Sequence, residues 1–397
     1  MNRLYIILFS VGILNATSID KLVSISLHNH HSLKTIKHKI LAQNIKIKRS
    51  QNLKNPNISF SLNDIQFNNP FSRVLEPMQT NSIAIKQQFI SSSKLKAFKR
   101  FEISTKKVII SSLRIAKVEL AKRVRLSAYR VKEVEGRIVI LNRYKKLINQ
   151  NIELYSSYSS TDSKSHLSSM TSTLILSKIK IEIERLKSIL NVQKSSLNYL
   201  TEKKINKISH HNRIKKPKSV KYYLRRAYNN PIYRQKLLEV KRAKRRKKIE
   251  DLSINPDPYV KVGYYNRANY NDYTSVTVGL SLPLYNSEKL NSQIAKRNIL
   301  EASSSKFDYL LLLKSEIRAE YFKLKEAYKI YKIIKYDSLK ELEHMFELSN
   351  AHIQNGGDFF AYISLLEKKL TLEEQLIAIK AQYFRSKVKL NSLIGKK

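Results

Sequence analysis

A few short segments of the chain alternate strictly between apolar residues and small or polar residues. The clearest one covers residues 274–285, where every second position is apolar: Val276, Val278, Leu280, Leu282 and Leu284. The positions between them hold small or polar residues: Thr277, Gly279, Ser281 and Pro283. Because successive side chains of a strand point to opposite faces, this pattern predicts a strand with one apolar face.

Three further segments show the same two-residue period. They cover residues 57–67, 81–90 and 259–266. An Asn-Pro pair precedes the first and the third of these segments, at Asn55-Pro56 and Asn255-Pro256. Proline ends a helix, so each pair predicts the boundary between a helix and the strand that follows it.

Most of the remaining chain has the periodicity of helices. Apolar positions recur in steps of four and three over residues 92–156 and 289–352, which is typical of coiled-coil packing. Shorter helices are predicted over residues 19–53 and 219–253. A helix of the longer kind would extend about 100 Å, at 1.5 Å per residue. The predicted fold class is therefore mainly α with a small β part.

The same order of predicted elements occurs twice along the chain. The Asn-Pro pair recurs, and Lys94-Leu95 after the second strand has a counterpart in Lys289-Leu290. Several blocks that align in the same order indicate an internal duplication. The prediction is a first structural repeat over residues 19–209 and a second over 210–397, each with two strands and a long helical hairpin.

The N-terminal residues 1–18 have the layout of a secretory signal peptide. Arg3 precedes the apolar run Leu4–Leu14, and small residues follow, with cleavage expected after Ala16 or Ser18. The apolar run is too short to cross a bilayer as a helix, which needs about 20 residues. We therefore expect an exported protein.

Four apolar-faced strands raise the question of what covers them. In lipid, every backbone N–H and C=O group needs a partner, so a spanning sheet must close into a barrel. Three chains would supply twelve strands, enough to close around an open lumen. The alternative is a small water-soluble β-domain beside a coiled coil, with the apolar face in its own core.

The charge adds two further hypotheses. The chain has 75 Lys and Arg against 31 Asp and Glu, a formal net charge of +44. Such a balance is typical of proteins that bind nucleic acid or other polyanions, or that work beside anionic lipid. The densest basic run includes a predicted basic collar at the membrane rim, against phospholipid headgroups: Lys244, Arg245, Arg246, Lys247 and Lys248.

The residues that usually carry chemistry are sparse. There is no cysteine, which excludes disulfides, thiolate metal sites and cysteine nucleophiles. Histidines cluster at His28, His30 and His31 and at His210-His211, but without Cys and with only 4 Met we expect no metal site. No phosphate-binding loop and no hydrolase or metalloprotease motif occurs. We expect no enzyme, no catalytic residue and no cofactor.

Three stretches of the second repeat carry a resemblance to a known family. They are "AYNNPIYRQKLLEVKRA" (227–243), "VTVGLSLPLYNSEKLNSQIAKRN" (276–298) and "LEKKLTLEEQLIAIKAQYFRSKVKLNSLIG" (366–395). With the twofold order of elements, they resemble the TolC-like outer-membrane efflux proteins, the outer membrane factor family. The resemblance implies a homotrimer with a 12-stranded barrel in the outer membrane and an α-helical tunnel in the periplasm.

The resemblance also implies partners and a gate. Such proteins dock on a periplasmic adaptor (membrane fusion) protein and an inner-membrane transporter. They narrow at the periplasmic tip, where acidic residues ring the mouth after a tight turn. Glu367 matches one acidic position, whereas the other holds Ser364, and Asp358 in the turn could take its place. Gly356 and Gly357 would allow the sharp turn.

The resulting functional hypothesis is an exit duct of a tripartite efflux or type I secretion system, passing small molecules or ions and having no nucleic-acid partner. One alternative is a soluble or exported basic coiled-coil protein that binds nucleic acid or other polyanions. Another is a secreted structural coiled coil.

Overall fold

The structure is a computed structural model that describes residues 17–158, 163–209, 213–353 and 359–396. Its first half contains two short helices, α1 (Ile19–Asn29) and α2 (His31–Arg49), then strands β2 (Asn57–Asn63) and β3 (Thr80–Gln88). Two long helices follow: α3 (Ser92–Tyr158), of 67 residues, and α4 (Ser163–Thr201).

The second half repeats this order with more interruptions. It contains α5 (Val220–Arg225), α6 (Pro231–Ser253), β5 (Pro258–Asn266) and β6 (Tyr273–Leu280). The long helical part comprises α7 (Ser287–Lys332), a π-helical turn (Ile333–Ser338), α8 (Leu339–Ile353) and α9 (Phe359–Leu393).

Two of the helices predicted from the sequence are divided in the structure. The predicted helix 19–53 is interrupted at His30, whose ψ angle of 123° leaves the helical region and whose ring accepts a hydrogen bond from the N–H of Ser32. The predicted helix 219–253 is interrupted before Pro231, which begins α6 because proline fits the first position of a helix. The predicted helix 289–352 contains the π-helical turn.

The chain divides into two compact units, and each unit takes segments from both repeats. The first unit comprises Met1–Lys34, Arg114–Pro231 and Leu310–Lys397. The second comprises Thr35–Leu113 and Ile232–Tyr309. The sequence duplication therefore does not correspond to two separately folded halves.

The first unit has a helical core formed by α3, α4 and α9. The apolar face of α4 presents Ile179, Ile183 and Leu186, and that of α9 presents Leu366 and Leu370. These positions are three or four residues apart, so they lie on one side of each helix. Full burial of a leucine side chain contributes roughly 1.5–3 kcal/mol, so this core is the main source of the unit's stability.

Ion pairs join the same three helices at the edge of the core. The Arg137 guanidinium on α3 lies 3.2 Å from the Glu182 carboxylate on α4 and 3.0 Å from the Glu374 carboxylate on α9. Tyr144 is buried nearby, and burial together with the neighbouring Glu373 carboxylate raises the pKa of its phenol. One cation therefore fixes three helices at a single point.

The first unit also contains a two-stranded parallel pair. Strand β1 (Thr17–Ser18) pairs with β4 (Ile208–Ser209), and the N–H of Thr17 donates to the carbonyl of Lys207 over 3.0 Å. Ser18 caps α1 by accepting from the N–H of Lys21. Of the two predicted cleavage positions, the one after Ala16 keeps Thr17 and Ser18, whereas the one after Ser18 removes this strand and the cap.

The second unit contains a four-stranded antiparallel sheet in the order β2-β3-β5-β6. The central pair, β3 with β5, joins the two repeats, and Ile83 lies opposite Tyr264 and Ile85 opposite Val262. Strand β2 ends at Asn63 instead of the predicted residue 67, because Asp64 takes a positive φ of 56° that leaves the extended region.

A helix that crosses a membrane must be both long and apolar. In the part of the chain that the structure describes, no helix is both long enough and apolar enough to cross a bilayer.

Candidate membrane-facing sheet and basic groove

One face of the four-stranded sheet is apolar from edge to edge. The pairing register aligns one residue from each strand into a row near the middle of the sheet: Ile58, Ile85, Val262 and Val276. A second row on the same face is Phe60, Ile83, Tyr264 and Thr274. The two-residue periods of four separate strands thus combine into one continuous apolar surface.

This apolar surface is exposed in the single chain. Phe60 is 80% exposed, Val276 67% and Val278 70%. Soluble monomers rarely expose contiguous apolar patches larger than a few hundred Å², and larger ones mark contact with a membrane or another protein. The water-soluble alternative requires this face to form the core of a small β-domain, and the exposed side chains show that it does not.

The opposite face is lined by small and polar residues. Its central row is Ser59, Ala84, Gly263 and Ser275. On the same face, a Cβ atom added to Gly279 would lie 2.5 Å from the Tyr259 ring, so the glycine makes room for the tyrosine. The Lys86 ammonium lies 3.8 Å from the centroid of that ring. This face can therefore border water.

Two of the five residues predicted to form the apolar face of the last strand lie outside it. Strand β6 ends at Leu280, opposite Pro258, which is the first residue of β5. Leu282 and Leu284 therefore have no partner strand and lie in the turn before α7, where they are 60% and 71% exposed. Val276, Val278 and Leu280 lie within β6, and their contact with lipid stays a prediction.

The sheet has two open edges. Strand β2 pairs only with β3, and β6 pairs only with β5, so the outer backbone groups of both strands have no partner strand within the described chain. Open edges are templates for pairing with another chain unless they are covered, and full closure into a barrel removes them. The sheet can therefore pair with a further strand at each of its two edges.

The predicted basic collar separates into two groups on α6. Arg246 forms an ion pair with Glu250 at 2.6 Å, and Lys247 forms one with Asp251 at 2.7 Å. Burial alone would raise the pKa of Asp251, but hydrogen bonds from Lys247 and Ser292 outweigh it and hold the pKa below its ordinary value. These two cations therefore have partners within the fold.

The other cations of this region converge on a groove between α3 and α6. The groove has a volume of about 670 Å³, and Ile103 and Leu238 provide apolar contacts within it. Five basic side chains line it: Arg100, Lys107, Lys241, Lys244 and Arg245. No acidic residue lines it, and among the described residues none of the five forms an ion pair. We call it the basic groove.

The fold constrains the distance from the basic groove to the sheet. Lys244 lies about 14 Å before the end of α6 at Ser253, and Arg100 lies about 12 Å after the start of α3 at Ser92. The groove therefore runs along the helices, about two to three turns from their strand-side ends, and the collar at the membrane rim stays a prediction. Lys248 is also exposed, and it forms no ion pair with any described residue.

The predicted tip residues are only partly described. Gly356, Gly357 and Asp358 lie outside the described residues. On α9, Glu367 is exposed directly beside the buried Leu366, and Ser364 is half-buried. Across residues 17–158, 163–209, 213–353 and 359–396, no cation forms an ion pair with the Glu367 carboxylate. It is thus available to a ligand or to another chain.

The histidine cluster has structural contacts. The His30 ring packs edge-on against Tyr199, with ring centroids 5.6 Å apart. The N–H and the ring of His31 both contact the Glu202 carboxylate at the start of α2. His210 and His211 lie outside the described residues, and within the described part no group of His, Cys, Asp and Glu side chains is suited to hold a metal ion.

The structure gives contacts to two basic residues that the sequence analysis did not predict. Arg73 donates to the carbonyls of Asn63 and Thr80, and so fixes the loop between β2 and β3. Lys94 is buried and lies 2.9 Å from the Asp257 carboxylate, joining the start of α3 to the segment before β5. Only Lys94 had a signal, because a cation in the first turn of a helix opposes the helix dipole and needs a partner.

Several solved structures have the same architecture as this chain. Its fold is that of the outer membrane channels. The Campylobacter jejuni CmeC outer membrane channel superposes with a TM-score of 0.77 at 14% identity, covering 95% of this chain and 85% of that one. The Neisseria gonorrhoeae MtrE outer membrane channel, in its open state, gives 0.79 at 10% identity, covering 95% and 89%.

A third neighbour extends the likeness. The outer membrane protein VceC from Vibrio cholerae gives a TM-score of 0.74 at 13% identity, covering 95% of this chain and 96% of that one. No protein-family model and no curated protein matches the sequence. The fold predicted from the resemblance to outer membrane factors is confirmed by these superpositions.

Proposed function

We propose that this chain is the outer-membrane exit duct of an export system. Three copies close a twelve-stranded barrel in the outer membrane, and their long helices form a tunnel in the periplasm. The duct receives small molecules or ions from an inner-membrane transporter through a periplasmic adaptor. The fold shared with CmeC and MtrE supports this assignment.

One observation carries the proposal: the sheet is apolar on one face and unpaired at both edges. An open edge in hydrocarbon would leave backbone groups without partners, at a cost of several kcal/mol each. Pairing β6 of one chain with β2 of the next removes every edge. Strand β5, of 9 residues, has the length of a tilted barrel strand in a bilayer.

Cross-linking tests closure directly, because the chain has no native cysteine. Ser59→Cys on β2 is combined in turn with Ser275→Cys and Thr277→Cys on β6, all on the small, polar face. We expect at least one combination to give a covalent trimer after oxidation. The matched control is Lys86→Cys with Lys261→Cys, a pair on adjacent strands of one chain, which should cross-link within monomers only.

Conductance then tests the duct. The detergent-extracted protein should have the mass of a trimer and should form channels in a planar bilayer. A protein that is monomeric and soluble without detergent, and gives no channels, would instead support the secreted coiled-coil alternative.

We further propose that the basic groove and the neighbouring Lys248 interact with anionic phospholipid headgroups, as a revised collar. Each charge near an anionic surface contributes roughly 1 kcal/mol. Replacing Lys244, Arg245 and Lys248 with glutamine should weaken binding to vesicles containing phosphatidylglycerol. The control replaces Arg246 and Lys247, whose partners are Glu250 and Asp251.

The same groove is the feature that favours the polyanion-binding alternative. Binding of duplex DNA or heparin by a soluble monomer, with an affinity that falls steeply with salt, would favour that function over the duct.

For the tip, we propose that Glu367 carboxylates from three chains form a ring near the mouth of the tunnel, and that adaptors dock near residues 354–358, where the sequence predicts a turn. Glu367→Gln should reduce cation preference in single-channel recordings, whereas Glu341→Gln, on the exposed surface of α8, should not. Equal cation preference in both variants would contradict the ring.

A further inference from the structure

A second cavity lies in the first unit, beside the π-helical turn. It has a volume of about 560 Å³, and its walls come from α3, α9, the end of α7 with the π-helical turn, and residues 213–214. Sites for small molecules typically measure roughly 300–1,000 Å³. Single π-helical turns within α-helices occur frequently at functional sites.

The floor of this cavity is largely apolar. The rings of Tyr129 and Phe384 stack with their centroids 5.1 Å apart and an angle of 9° between their planes. Ala381 and Ile377 continue the floor along α9. Tyr129, Phe384 and Ala381 are all buried, so the floor is a preformed part of the packed unit.

The rim of the cavity is cationic. The ammonium groups of Lys335 and Lys380 lie 5.8 and 5.9 Å from the centroid of one ring, that of Tyr331. Arg213 adds a third positive charge to the rim. Burial, and after it the charge of Lys335, lowers the pKa of Lys380. The hydrogen bond between Lys335 and Tyr331 instead raises the pKa of Lys335, so Lys335 keeps its charge at the rim.

The acidic residue of the lining does not neutralise this rim. Glu133 is buried and forms ion pairs with Arg130, at 2.8 Å, and with Arg385. In the described ranges, no carboxylate forms an ion pair with Lys335, Lys380 or Arg213. The cavity thus combines an apolar floor with an uncompensated positive rim.

We propose that this cavity binds a small amphiphilic anion. The apolar body of the ligand lies on Phe384 and Ala381, and its carboxylate, sulfonate or phosphate group accepts hydrogen bonds from Lys335 and Lys380. Charge-assisted hydrogen bonds of this kind are roughly twice as strong as neutral ones. The site is independent of the proposed duct, since every residue that forms it belongs to one unit of one chain.

The test compares 2-naphthoate with 2-naphthol, which has the same ring system without the charge at neutral pH. Both are titrated calorimetrically into the full-length protein in a non-ionic detergent. We expect saturable binding of one naphthoate per chain, with naphthol binding about tenfold more weakly or not at all. The chain has no tryptophan, so a single tryptophan introduced as Tyr336→Trp provides an independent fluorescence readout.

Variants identify the site. Lys335→Gln and Lys380→Gln should each weaken naphthoate binding about tenfold, which is the loss of one charge-assisted hydrogen bond. Lys340→Gln, an exposed position on α8 outside the cavity, should leave binding unchanged. Ala381→Leu should fill the floor and abolish binding; if this variant does not fold, the two lysine variants decide.

Three outcomes would overturn the inference: equal binding of naphthol and naphthoate, unchanged binding in both lysine variants, or no saturable binding to the assembled protein. Channel activity separates this failure from failure of the duct. A conducting trimer that does not bind naphthoate refutes only the site, whereas a soluble monomer that binds it refutes only the duct.

Discussion

The sheet of the second unit and the helical core of the first unit differ in the exposure of their apolar side chains. Val276 and Phe60 direct their side chains outward and are largely exposed, whereas Leu186 and Leu390 are almost completely buried. The two-residue period of a strand and the 3.5-residue period of a helix show which face is apolar. They do not show which groups pack against that face. In the helices the cover is the rest of the chain, whereas no part of the described chain covers the apolar face of the sheet.

The largest effect is expected from a charged substitution on the apolar face of the sheet. Val276→Arg places a charge in the central apolar row of each chain, at a cost of about 2–4 kcal/mol if that face meets lipid. We expect loss of the trimer from the outer-membrane fraction, measured by density-gradient separation and gel mobility without heating.

The matched control is Ser275→Arg, the adjacent residue on the opposite face. Assembly should be nearly normal, because an arginine there would border water. If Ser275→Arg is as harmful as Val276→Arg, the two faces are not distinguished by lipid.

The next largest effect concerns the helical core. Leu186→Ala should destabilise the protein by about 2–5 kcal/mol, since it leaves a cavity among α3, α4 and α9. The urea concentration at the unfolding midpoint is the measurement. Ile181→Ala, on the exposed side of α4, should change it little if the exposed side of the helix carries no contact.

A smaller effect is expected at the ion pairs that join three helices. Arg137→Gln should cost about 1–2 kcal/mol, between the values for exposed and buried pairs, because Glu182 and Glu374 lose their common cation. Arg185→Gln, which removes a single exposed pair, serves as the control in the same unfolding experiment. Equal destabilisation in both variants would contradict a special role for Arg137.

The smallest effect is a pH dependence in the second unit. The pKa of Asp251 is lower in the folded protein, so its contribution is present above the ordinary value of 3.8 and is lost as the pH falls through the folded pKa. Asp251→Asn should flatten the acid limb of the stability curve below about pH 4. An unchanged acid limb would show that Lys247 and Ser292 do not stabilise the carboxylate.

Sequence patterns were sufficient for the order of elements and for the apolar face of the sheet, because local periodicity determines both. They did not indicate where β6 ends, because that depends on Pro258 in another strand. The π-helical turn at 333–338 has no proline or glycine to signal it. The pairing of Arg246 with Glu250 could have been predicted from its four-residue spacing.

The basic groove and the cationic cavity were beyond sequence reasoning for a different reason. Lys244 and Arg100 come from helices that are distant in the sequence, and so do Lys335 and Lys380. No local pattern indicates that two such residues converge. The tip residues Gly356, Gly357 and Asp358 stay a prediction.

The pairing of β3 with β5 has a consequence for assembly from separate halves. Within the chain it joins the two repeats edge to edge, as β6 and β2 would join adjacent subunits of the closed ring. If three chains close the barrel as proposed, six half-length polypeptides with two strands each would supply the same twelve strands. Co-expression of the two halves from separate genes should then restore assembly.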